Sequence, residues 1–98
     1  MTDSDIAAAT LDTVPANAGE CFERGILYSS GRCTPVDMVA AHKWFNIAAS
    51  RGHKEAAQMR REIAEQMSDA EIGCAQRAAR DWLKAHSQAP VAVIRAAA

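Results

Sequence analysis

Large apolar side chains recur at three- and four-residue steps in four blocks of the chain, which predicts four amphipathic helices. In the first block, residues 18–29, Phe22, Gly25, Ile26 and Tyr28 are the bulky or close-approach positions, and Asn17 stands as N-cap. The 29–35 run collects turn formers, Gly31 among them, and stops this helix. Pro35 predicts the restart, since proline at a first helical position lacks only an amide that has no partner there. The second helix extends to Ser50 with Ala41, Trp44, Phe45, Ala48 and Ala49 in one stripe, Lys43 and Asn46 turned away, and Gly52 at the left-handed position that follows. A third, 54–66, puts Ala56, Met59, Ile63 and Met67 on one side and Arg60, Arg61 and Glu65 toward water. Ser68 and Glu71 have capping-box spacing and open a fourth helix to His86, whose buried stripe is Ile72, Ala75, Ala79, Trp82 and Leu83. Residues 91–94 are too short a pattern to assign beyond a helical turn or a docked tail.

The connections are only a few residues long, so the pattern describes two antiparallel hairpins stacked side by side. Composition supports an all-α chain: 22 of the 98 residues are alanine, the strongest helix former, and alanine lets helix axes approach. It also makes the core thin, because much of the 49% hydrophobic content carries little apolar area. No stretch nears the roughly 18 apolar residues of a membrane span. No Lys or Arg precedes the short apolar run at 6–9, so the start does not read as a secretory signal and the expected setting is cytoplasmic. Cys21, Cys33 and Cys74 are odd in number and form no CxxC, which reads as reduced thiols. Net charge is −1, unevenly placed: Asp3, Asp5, Asp12 and Glu20 lie in the first 20 residues, and all 11 Lys and Arg lie beyond them. The chain thus divides into an acidic arm (1–16), a helical domain (17–86) and a C-terminal tail (87–98).

Between residues 18 and 56, Phe22, Gly25, Tyr28, Gly31, Asp37, Ala41, Trp44, Ala48, Ala49, Gly52 and Ala56 resemble, without a gap, the signature of a Sel1-like repeat, the tetratricopeptide-related helical hairpin. The resemblance implies a short α-solenoid with one repeat at 18–52 and a capping hairpin at 53–86. In such a hairpin Gly25 and Ala41 would lack bulk where the helices cross, Tyr28 and Trp44 would fill the space between them, and Gly31 would permit the turn. Arg24 stands where the family has leucine. Proteins of this family are mostly adaptors and scaffolds, bacterial members often serving signalling or envelope-related complexes, so the resemblance implies a protein–protein interaction module. The first helix of each pair would line the concave side, which places Glu20, Arg24 and Leu27 beside Gln58, Arg61 and Glu65. Arg24 and Arg61 would then offer forked donors to an acidic peptide or a chain terminus.

Other chemistry has little support. Cys21, Cys33, His42 and His53 have separations unlike those of compact zinc sites, and no motif marks a Cys/His nucleophilic pair or a phosphate loop, so no metal, cofactor or catalysis is expected. Arg77, Arg80 and Lys84 with Arg60 and Arg61 suggest a basic strip for nucleic acid. Interleaved Glu62, Glu65, Asp69, Glu71 and Asp81 instead favour a mixed, solvated face with local ion pairs. Trp44 and Trp82 sit inside apolar stripes and read as core rather than as stacking platforms. The expected function is therefore a non-catalytic adaptor for a peptide or partner protein, with self-association as the alternative and nucleic-acid binding as the weaker one. A membrane or a small-molecule substrate is not expected.

Overall fold

Each helix begins where a side chain can accept one of the free backbone amides of a first turn. The computed structural model describes residues 14–86, with α1 at Ala18–Ser30, α2 at Met38–Ser50, α3 at Lys54–Ala64 and α4 at Asp69–Ala85. Asn17 caps α1 by accepting from Glu20 N at 2.9 Å, and the Ser68–Glu71 capping box of α4 forms in both directions, at 3.1 and 2.9 Å. Gly31 ends α1 at φ +72°, donating to Leu27 O, and Gly52 follows α2 at φ +100°. The acidic residues Asp3, Asp5 and Asp12, most of the 1–16 arm, the 87–98 tail and the 91–94 turn within it lie outside the described residues.

Two boundaries differ from the pattern-based expectation. Helix α2 starts at Met38 instead of Pro35, because Asp37 accepts from Ala40 N at 3.0 Å, while the Asp37 amide is already held by Tyr28 O at 3.0 Å. Helix α3 stops at Ala64, two residues early, where tighter bonds from Gln66 N to Ile63 O and from Met67 N to Ala64 O close the turn into α4. His53, not singled out in the pattern, caps α3 through Nδ1, which accepts from Ala56 N at 3.2 Å.

The expected solenoid is not what these helices build. Successive hairpins of a Sel1-like or tetratricopeptide-like array stack in file, with their first helices side by side along a concave face. Here α2 is the hub: it packs on α1, on α3 and on the non-sequential α4, while backbone approach among those three is at most marginal. The described residues form a compact four-helix bundle around α2, which overturns the expected Sel1-like, helical-repeat and α-solenoid architecture. The stacked antiparallel hairpins and the concave face fall with it. The signature residues serve local packing instead. Gly25 lets α1 lie against α2, since a Cβ there would meet the Phe45 ring at 2.6 Å, and Ala41, Ala48 and Ala56 are fully buried. Phe22, Tyr28 and Ala49 pack at the edge of the same core. Any close helical pair uses small residues at its crossing, so this pattern specifies a hairpin and not an array of hairpins.

The hub position also explains burial on α2. A single stripe was expected, but His42 and Ile47 are buried as well, because three neighbours cover more of the helix than one does. Helices α3 and α4 each bury only two residues, Ala56 with Ile63 and Ala75 with Ala79. Trp44 reaches the other way, meeting Trp82 of α4 edge-on at 5.2 Å.

Candidate functional site

Because α3 and α4 both lean on α2 and hardly on each other, polar side chains near the α2–α4 seam stay open to solvent. A groove of about 450 Å³ lies there, lined by Asn46 of α2 and by Gln76, Ala79, Arg80 and Leu83 of α4. Gln76, Ala79, Arg80 and Leu83 recur at three- and four-residue steps, which puts them on one side of α4. From α3, Arg60 donates through Nη1 to Asn46 Oδ1 at 2.6 Å, and this bond fixes a second guanidinium beside the groove. The local ion pairs expected on this face are absent: among the described residues Arg60, Arg61, Arg77, Arg80 and Lys84 have no carboxylate partner. The groove therefore combines the Arg80 guanidinium, two side-chain amides and the apolar side of Leu83, with the Arg60 guanidinium beside it.

One turn before Asn46 on α2 lies His42, 3% exposed, whose Nδ1 has no hydrogen-bond partner among the described residues. Burial pushes its imidazole pKa below the ordinary value, and the nearby Arg60 charge pushes it further.

On the far side of α2, Trp44 carries two cations, with the Arg24 guanidinium 4.8 Å and Lys43 Nζ 4.6 Å from its ring centre. Burial, and secondarily Arg24, lowers the Lys43 pKa. Trp82 stacks on His86 at 4.1 Å and lies under Arg51, which also donates to His86 O at 3.1 Å. This ladder of rings and cations ties the end of α4 to the end of α2. Cys21 is buried beside Arg51 and Arg24; burial raises its thiol pKa, and the two arginines oppose that rise.

The residues expected on a concave face are dispersed. Glu20 is exposed, and its carboxylate accepts from Ala16 N at 2.7 Å. Arg24 is 5% exposed and packed on Trp44, while Leu27 is half-buried. Gln58 and Arg61 of α3 and Glu65 just past its end are exposed, and α3 shares no extended contact with α1. No group of three or more His, Cys, Asp or Glu able to hold a metal occurs among the described residues. Cys33 is exposed, and His53 is engaged as the α3 cap with its ring stacked on Phe22 at 4.2 Å.

The groove residues were visible in the sequence only as fragments. Arg60 and Arg80 belonged to the suspected basic strip, and Asn46 was placed on the side turned away from the core. What joins them is the packing of α3 and α4 on α2, which no local spacing encodes. Among the described residues no helix is long and apolar enough to cross a membrane. Comparison with known proteins adds no relative: no family model, no curated protein and no solved structure matches this chain.

Proposed function

We propose that this chain is a non-catalytic protein–protein interaction module that docks a segment of a partner protein in the α2–α4 groove. The observation that carries the reading is the groove itself, about 450 Å³, where Arg80 and Arg60 stand without counter-ions beside Asn46, Gln76, Ala79 and Leu83. A polar rim with a small apolar strip suits a peptide segment, which brings hydrogen-bonding groups and side chains together. Most charged side chains of α3 and α4 point to solvent, so the partner would meet a rigid helical surface whose ordering cost is already met by the fold. The free thiols of Cys21, Cys33 and Cys74 suit a reducing, cytoplasmic setting.

The test is site-specific photocrosslinking in the source cells, with a benzophenone side chain at Gln76 in the groove or at Glu23 on the exposed outer side of α1. The expected result is a discrete crosslink to another protein from position 76 and none from position 23. Crosslinks to a second copy of the chain would transfer the reading to self-association, and equal, diffuse products from both positions would refute a defined docking groove.

A further inference from the structure

The chemistry of the α2–α4 groove selects among partner segments, and the selection rests on the docking reading above. We infer that the groove recognises an acidic peptide in which a carboxylate engages Arg80, with Arg60 beside it, while a neighbouring apolar side chain lies on Leu83. Three observations converge on this. Neither guanidinium has a carboxylate partner among the described residues, although Glu62, Asp69, Glu71 and Asp81 occur on the same two helices. Arg60 is held by Asn46 Oδ1 at 2.6 Å, so its orientation is fixed before any ligand arrives, and a planar fork held in place loses less freedom on binding a carboxylate. Leu83 is half-buried on α4, one turn from Arg80, which supplies apolar contact beside the charged group.

Charge complementarity decides the class of ligand. Nucleic-acid binding draws its affinity from many phosphate contacts along an extended basic surface. Here one arginine, Arg80, lines an open groove with Arg60 beside it, and exposed Asp69, Glu71 and Asp81 lie on the same helix as Arg80, which would repel a run of phosphates. A single carboxylate next to an aliphatic side chain meets the same groove without that repulsion. Gln76 and Asn46 provide amides for the backbone of an extended segment.

The experiment is calorimetric titration of the full chain with short acetylated, amidated glycine–serine peptides that carry one glutamate, one glutamine or one lysine next to a leucine, and with a short single-stranded thymidine oligonucleotide. The glutamate–leucine peptide should bind, and the glutamine–leucine peptide should bind at least about tenfold more weakly, as loss of a charge-assisted contact implies. Arg80→Gln should weaken the glutamate–leucine peptide by a similar factor. Arg77→Gln, on the same helix outside the groove lining, should leave it unchanged, with helicity equal in both variants. Equal affinity for the glutamate and glutamine peptides, or indifference to Arg80→Gln, overturns the carboxylate inference while leaving the docking reading to its crosslinking test. Binding of none of the peptides overturns the inference as well. So does tighter binding of the oligonucleotide that Arg80→Gln abolishes, which would assign the groove to phosphate.

Discussion

Gly25→Ala tests the crossing of α1 on α2 directly. Gly25 is buried within α1, and its φ is not in the left-handed region, so alanine should be favoured there by about 1 kcal/mol of helix propensity. The new Cβ, however, would lie 2.6 Å from both Cδ1 and Cε1 of Phe45, well inside the ordinary 3.4–4 Å contact range. Phe45 is 0% exposed and has the Phe22 ring against it at 5.6 Å, so its ring has little room to give way. Overpacking of this kind costs about 1–3 kcal/mol, and the rigid surroundings favour the upper part of that range. The net effect is a destabilisation of about 1–2 kcal/mol, against a total stability of roughly 5–10 kcal/mol for a domain of this size. In a Phe45→Leu background the edge of the ring is gone, and the same Gly25→Ala change should stabilise by up to about 1 kcal/mol. The two substitutions should therefore be coupled by about 2–3 kcal/mol in a double-mutant cycle. Urea unfolding followed by far-UV circular dichroism measures all four corners. A higher urea midpoint for Gly25→Ala in the otherwise unchanged chain, or additivity within about 0.5 kcal/mol, would refute the proposed close approach.

Three further outcomes follow from the same structure. His42 has a lowered folded-state pKa, so below its ordinary value of 6.5 the unfolded chain takes up a proton that the folded chain resists; stability is full above that pH and falls as pH drops below it. His42→Leu should remove this part of the decline, and an unchanged slope of urea midpoint between about pH 7.5 and about pH 5.5 would count against it. Of the three thiols, Cys33 and Cys74 are exposed and Cys21 is buried with a raised pKa, so a thiol reagent should modify two at once and the third only as the chain opens; rapid reaction of all three would show that the α1–α2 interface is loose. Ser68→Ala removes the hydroxyl that accepts from Glu71 N at 3.1 Å and should cost about 1 kcal/mol, read as a lower melting temperature, with Glu71→Gln nearly neutral because glutamine can still complete the box.

Much of the local structure was legible in the residues themselves. The Asn17 cap, the Ser68–Glu71 box, the left-handed Gly31 and Gly52 and the buried positions of α3 and α4 each depend on groups within about four residues of one another, and sequence spacing records such relations directly. The run from Phe22 to Ala56 likewise encoded a close helical pair, and Gly25 against Phe45 is that pair. It did not encode what the pair packs on next. Pairing of α2 with α4 is decided by side chains far apart in sequence, Trp44 with Trp82 above all, and by the burial of His42 and Ile47 beyond the single expected stripe. Once α2 became the hub, the concave face vanished, Arg24 was drawn under the core against Trp44, and Asn46 and Arg80 were brought to one groove with Arg60 beside it. Helix formation is governed by neighbours along the chain, whereas the choice of helix partner minimises exposed apolar area over the whole molecule, and only the second decides where a binding surface lies.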